Sequence, residues 1–185
     1  MLVFGIIAAA AVLVLGWGVS IYNRFVRLKN MMAEAWSGVD VQLKRRVDLI
    51  PNLVETVKGY ATHEKEVFEK VAASRAQSIS AGTVKEQAAA ETGLTASLRT
   101  LFAVAEAYPE LKANTNFLEL QKSLSEIEDQ IQMSRRYYNG TVRENNVLVE
   151  SFPSNLVARL GGFGKGDFFE LEDEGERKTP QVKFN

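Results

Sequence analysis

The chain has 185 residues, with 22 basic and 23 acidic side chains, a formal net charge of −1 and no cysteine. This balance gives no chain-wide basic surface for nucleic acid, and the lack of cysteine excludes disulfides, thiolate metal sites and cysteine nucleophiles. The length allows one domain with appendages.

Residues 1–22 contain no charged side chain and predict a membrane-spanning helix. The run gives about 33 Å of helix, enough to cross a hydrocarbon core of about 30 Å. A cleaved signal peptide is the alternative. No lysine or arginine precedes the run and no small-residue cleavage site ends it, so we favour a retained single-pass anchor. Arg24, Arg27 and Lys29 follow, which by the positive-inside rule predicts an outside N-terminus and a cytoplasmic domain.

Small side chains share one face of that segment, at Gly5, Ala9, Gly16 and Ser20. Such spacing lets membrane helices approach closely, which would make this face a contact between copies in a homo-oligomer. Alanine and glycine are frequent in membrane helices in any case, and we favour this second interpretation.

The stretch from Phe25 to Ala61 organises the rest of the chain. Its apolar residues recur every three or four positions, as on one face of a helix, at Phe25, Leu28, Met32, Trp36, Val39, Leu43, Val47, Ile50, Val54, Val57 and Ala61. Pro51 interrupts the pattern, because proline deletes a helix hydrogen bond and disfavours helical backbone before it. We predict a break and a hairpin at Pro51. A kinked continuous helix is the alternative, since the apolar phase survives across the proline.

Further helices follow from the same spacing, over about 49–80, 83–108 and 116–152, with one or two more turns over 155–160. Asn116 and Glu119 form a predicted capping box, and the spacing after it is heptad-like, as in a coiled coil. The predicted fold is all-α: a single transmembrane helix followed by an antiparallel four-helix bundle with long helices.

Three regions result: an anchor at 1–22, a bundle domain at 23–160 and a flexible acidic tail at 161–185. The tail is rich in glycine and then in acidic residues. Four of its side chains are too apolar for a purely solvated tail and could dock on the bundle or on a partner: Phe168, Phe169, Val182 and Phe184.

Several runs resemble the signature of the LemA family. They are Trp36, Gln42–Tyr60, Glu106–Pro109, Leu111–Asn114, Arg136–Asn139 with Val142 and Asn146, and Ser151–Asn155. These runs are spread over nearly the whole chain, which makes the match specific. The resemblance implies a bacterial membrane-anchored helical protein from a family with no settled biochemical activity.

Catalytic and metal-binding motifs are hard to find in the sequence. The single histidine, His63, does not belong to an H-E-x-x-H motif because position 67 is valine, and Tyr60 stands where a di-metal carboxylate bundle needs glutamate. We predict no metal, no cofactor and no enzyme activity, and a solvated helical position for His63.

Polar residues intrude on the apolar stripes of the first and last long helices. We name them the polar seam: Arg45, Arg46, Asp48, Arg136, Tyr138, Asn139, Asn145 and Asn146. One interpretation is a pocket or partner-binding surface. The favoured one is a buried, hydrogen-bonded layer that fixes helix register. A specific hypothesis is that Arg45 or Asp48 pairs with the 138–145 part of the last helix.

These observations favour a membrane-anchored scaffold that presents its bundle to an unidentified membrane or cytoplasmic protein. The alternative is a membrane-organising protein that self-assembles on the lipid bilayer. We expect no nucleic-acid partner.

Overall fold

The computed structural model describes residues 1–170, and the predicted acidic end of the tail, with Val182 and Phe184, lies outside them. Six helices and no strand occur in the described part. They are α1 (Leu2–Lys58), α2 (Lys65–Ser80), α3 (Val84–Glu106), α4 (Pro109–Lys112), α5 (Thr115–Glu150) and α6 (Ser154–Gly161). The all-helical prediction is confirmed, and the antiparallel order of the bundle stays a prediction.

The predicted hairpin at Pro51 is wrong, because α1 runs through this proline to Lys58. Proline removes the N–H that would bond the carbonyl four residues earlier, here that of Val47. Arg75 of α2 supplies the missing donor, with its Nε 3.0 Å from Val47 O. The chain turns after Lys58 instead, so the helix predicted over 49–80 is divided between α1 and α2.

The first residues of α3 and α5 are set by side-chain caps. Thr83 and Glu86 form a capping box at α3, confirming the predicted start. The backbone N–H of Gly82, together with Thr83, holds the pKa of the Glu86 carboxyl below its ordinary value. The capping box predicted at Asn116 is wrong, since α5 already begins at Thr115, and Asn114 Oδ1 accepts from the Phe117 N–H at 3.0 Å.

The chain divides into two compact units. Unit 1 contains residues 1–41 and 132–168, and unit 2 contains residues 42–131 with 169–170 of the described chain.

Unit 2 has one core to which four long helices contribute. Its buried apolar residues are Val47, Ile50, Leu53 and Val57 of α1, Phe68 and Val71 of α2, Leu94, Leu98, Leu101 and Ala105 of α3, and Phe117 and Leu124 of α5, with Leu111 of the short α4 and Ala61 from the turn after α1. Burial of such residues is the main stabilising term of a helical domain.

Unit 1 packs the first part of α1 against the second part of α5 and against α6. Phe25 and Leu28 share a buried cluster with Leu148 and Ala158. The N-terminal part of α1 is long and apolar enough to cross a membrane. None of the residues in its most apolar stretch is buried. Helix α6 ends at Gly161 and is followed by Gly162, whose φ of 68° lies in the left-handed region that glycine tolerates.

Candidate functional site

Arg46 is the centre of a buried polar cluster in unit 2. Only 2% of its surface is exposed, and its guanidinium reaches three partners on α3 and α5. Nη1 lies 2.8 Å from Glu128 Oε2, Nη2 donates to Thr95 Oγ1 at 2.9 Å, and Nη2 lies 3.3 Å from Glu91 Oε2. A single arginine therefore connects three helices. We call it and its partners the Arg46 cluster.

Glu91 extends the Arg46 cluster toward α2. It is only 1% exposed. Its Oε1 accepts from Ser78 Oγ at 2.5 Å and from Gln87 Nε2 at 2.9 Å. A buried ion pair of this kind is tolerated only when further hydrogen bonds satisfy the remaining atoms, as happens here for most of them. Arg46 therefore lies in a buried, hydrogen-bonded layer, and the role of this layer in fixing helix register stays a prediction.

Arg45 and Asp48, on the exposed side of the same α1 segment, line an open cleft against α5. The cleft has a volume of about 490 Å³. The other lining residues are Leu49, Ser123, Glu126, Ile127 and Gln130. Arg45 Nη1 donates to Gln42 Oε1 at 3.1 Å. The lining of the cleft therefore carries charges of both signs, together with apolar side chains.

In unit 1 the polar seam holds the chain's own C-terminal part. We call residues 163–168 the C-terminal strap. Asn145 Nδ2 donates to Gly164 O at 3.0 Å, and Asn146 binds Gly166 twice, donating to its carbonyl at 3.0 Å and accepting from its N–H at 2.8 Å. Two asparagine amides thus bind the strap backbone directly.

Tyr138 and the strap glycines complete this attachment. Tyr138 Oη donates to Asp167 O at 3.0 Å, and the Tyr138 ring lies 5.2 Å from that of Trp36. Burial, with the nearby Asp167 charge, raises the pKa of the Tyr138 phenol, so it remains a donor at neutral pH. A Cβ on Gly166 would lie 2.5 Å from Met32 Cε, which shows how closely the strap approaches α1.

The remaining predicted residues have less defined roles. Arg136 is exposed, and Asn139 is half-buried with an interaction of its own. Gly5, Ala9, Gly16 and Ser20 are all exposed.

The predicted pairing of Arg45 or Asp48 with the 138–145 segment stays a prediction. Each group has neighbours within its own unit: the cleft residues of α5 for Arg45 and Asp48, and the strap for Tyr138 and Asn145.

His63 lies exposed in the turn between α1 and α2, not in a helix as predicted. Among residues 1–170, no group of three histidine, aspartate or glutamate side chains is placed to hold a metal ion.

The sequence-based selection of site residues missed the partners of Arg46 and of the polar seam. Glu91 gave a usable signal, because it falls on the apolar stripe of α3 between Ala88 and Leu94, where a charge must be paired. For the strap, apolar Phe168 indicated that the segment could dock, but the bonds to Asn145 and Asn146 gave no signal, since they use backbone atoms that any residue possesses.

Comparison with known proteins adds a family and several relatives. The profile described as "LemA family" matches residues 35–184. Magnetosome protein MamQ 2 of Paramagnetospirillum magneticum is 26% identical, covering 87% of this chain and 70% of that protein. Magnetosome protein MamQ of Magnetospirillum gryphiswaldense is 24% identical with the same coverage. Protein LemA of Metamycoplasma hominis is 27% identical over 74% of this chain, which spans 63% of that protein's length.

Proposed function

The chain belongs to the LemA family, and we propose that it is a membrane-anchored helical scaffold that binds a partner protein in the cleft of Arg45 and Asp48. The observation that carries the proposal is the cleft itself. Its volume of about 490 Å³ is within the range of ligand sites, about 300–1,000 Å³, but those sites are mostly apolar. This lining is mainly polar and charged, which favours a protein surface over a small apolar ligand.

The anchor in this proposal is the uncharged run at the start of α1. Its side chains are exposed and apolar, as a lipid-facing helix requires. Arg24, Arg27 and Lys29 follow it and are exposed. Under the positive-inside rule these cations support a single-pass topology with the N-terminus outside and the rest of the chain in the cytoplasm.

Site-specific photocrosslinking in intact membranes tests the scaffold. A photoreactive residue at Gln130, which lines the cleft, should give an adduct of the chain with one other protein. The same residue at Ser125, exposed on α5 but outside the cleft lining, is the matched control. Asp48→Arg should abolish the Gln130 adduct because it reverses the charge at the cleft. Equal adducts from both positions, or none from Gln130, would contradict the proposal.

A second candidate is a membrane-organising protein that assembles from its own copies on the bilayer. The observation in its favour is that a Cβ at Gly5 or Gly16 would meet nothing within 4 Å, so this small-residue face is open to another helix. In the same experiment this function predicts an adduct of two chains, weakened by Gly5→Leu with Gly16→Leu. Neither candidate is an enzyme, and turnover by the purified protein would contradict both.

A further inference from the structure

Helix α6 lies against the point where the uncharged segment of α1 ends. Its last residue, Gly161, packs on Tyr22, since a Cβ there would lie 3.3 Å from Tyr22 Cε2. Phe163, just beyond α6, meets Tyr22 edge to face at 5.3 Å and stacks on Phe25 at 4.8 Å. Tyr22 closes a run long enough to cross the hydrocarbon core. The C-terminal end of α6 is therefore at the depth of the membrane–water interface if α1 spans the bilayer.

The outward face of α6 carries large apolar side chains. Ser154 and Ala158 point inward and are buried. On the opposite face Leu160 is 91% exposed and Leu156 51% exposed, and Phe152 just before the helix is 80% exposed. Leu156 and Leu160 are four residues apart and so lie on one side of the helix. Three neighbouring apolar side chains in water are unfavourable unless something covers them.

We propose that α6 is an interfacial helix, with Phe152, Leu156 and Leu160 inserted into the headgroup and upper acyl region of the same bilayer that α1 spans. This inference rests on the proposed membrane anchor. Amphipathic helices bind membranes in this way, with apolar side chains about 5–10 Å below the headgroup boundary and basic ones among the headgroups. Exposed Arg159 on α6, with Arg24 and Arg27 on α1, supplies those basic groups.

The short length of α6 is compatible with this role because it does not have to find the membrane alone. An eight-residue helix buries too little area for strong binding from solution. Attached to a membrane-spanning helix, its insertion is intramolecular, and the anchor supplies a high effective concentration of bilayer. The contact of Gly161 with Tyr22, which places α6 at the level where the uncharged run of α1 ends, favours lipid over a second copy or another protein.

Nitroxide labelling of the full-length protein, at one copy per nanodisc of phosphatidylcholine and phosphatidylglycerol, tests the inference. The chain has no cysteine, so Leu156→Cys and Leu160→Cys each give one labelling site. Collision with oxygen, which concentrates in lipid, should exceed collision with water-soluble Ni(II)EDDA at both sites. Val12→Cys is the control inside the anchor. Met133→Cys is the aqueous control in the same unit, exposed on α5 beyond the Tyr138–Trp36 contact.

Four results distinguish the possibilities. A higher oxygen-to-nickel ratio at 156 and 160 than at 133, with the highest ratio at 12, supports the interfacial helix. A ratio at 156 and 160 equal to that at 133, with position 12 deep in lipid, overturns this inference and leaves the anchor intact. Protection of 156 and 160 from both reagents also overturns it, because protein then covers the face. A water-accessible position 12 overturns the anchor and the inference together.

Discussion

Arg75 Nε donates a hydrogen bond to Val47 O at 3.0 Å, at the carbonyl that Pro51 deprives of its helical partner. Val47 is buried, and an unsatisfied buried carbonyl is costly. Pro51 itself is exposed, so its ring faces away from the core. This side-chain replacement explains how α1 continues through a proline that would otherwise end it.

The first prediction concerns this replacement. Arg75→Met should lower the free energy of unfolding by about 1–3 kcal/mol, the cost of leaving a buried polar group unsatisfied. In a Pro51→Ala background the same change should cost less, because alanine at this position restores the backbone N–H. Urea unfolding of the full-length protein in detergent micelles measures both.

Lys70→Met, at an exposed position of α2, is the control for loss of a cation and should change stability by less than about 0.5 kcal/mol. If Arg75→Met costs as much in the Pro51→Ala background as it does with the proline in place, then Arg75 acts through other contacts and the explanation of the uninterrupted helix is wrong.

The second prediction concerns the Arg46 cluster. Glu91→Ala should cost about 3–5 kcal/mol, because it removes one partner of a buried ion pair. Combined with Arg46→Met it should cost less than the sum of the two single changes, because the stranded charge is also removed. Glu128→Ala should cost less than Glu91→Ala, since the Glu128 side chain is 37% exposed and the Glu91 side chain 2%. Additive losses would show that the pair is not coupled.

The third prediction concerns the C-terminal strap. Asn146→Ala removes two hydrogen bonds to Gly166 and should speed hydrogen exchange of the Gly166 amide more than Tyr138→Phe, which removes one bond to Asp167 O. Each lost bond weakens strap attachment by about 0.5–1.5 kcal/mol. Arg136→Ala, on the same helix but exposed, is the control and should leave the exchange rate unchanged. Rapid Gly166 exchange in the unmodified protein would mean that the strap is not held.

The fourth prediction is a pH dependence of the same attachment. The pKa of Tyr138 is raised by burial and then by Asp167, so the folded state holds the phenol proton more tightly than the unfolded state does. The contribution of the Tyr138 phenol to the stability of the fold is therefore complete below the ordinary tyrosine pKa of about 10. It is lost as the pH rises through the raised pKa of the folded state. The stability advantage of the unmodified protein over Tyr138→Phe should be constant near neutral pH and should shrink above about pH 10. Asp167→Asn should move the Tyr138 titration, followed by tyrosinate absorbance, to lower pH.

The helical class, the apolar run at the N-terminus and the inward stripe from Phe25 to Ala61 were all predictable from the sequence alone, because they depend on spacing along one chain. Of the marked stripe residues, Phe25, Leu28, Val39, Leu43, Val47, Ile50, Val57 and Ala61 are indeed buried. The start of α3 at Thr83 was predictable for the same reason, since a capping box is a local motif.

The continuation of α1 through Pro51, and the groups that Arg46 and the asparagines bind, depend instead on how distant segments pack. Rules based on local sequence include the loss of the hydrogen bond that proline removes. They do not include the donor that replaces it, because this donor comes from Arg75 on another helix. Likewise Glu91 lies 45 residues from Arg46, and Gly166 lies 20 residues from Asn146. The sequence indicates that a polar side chain on an apolar stripe needs a hydrogen-bonding partner. The packing of distant segments determines which partner it binds.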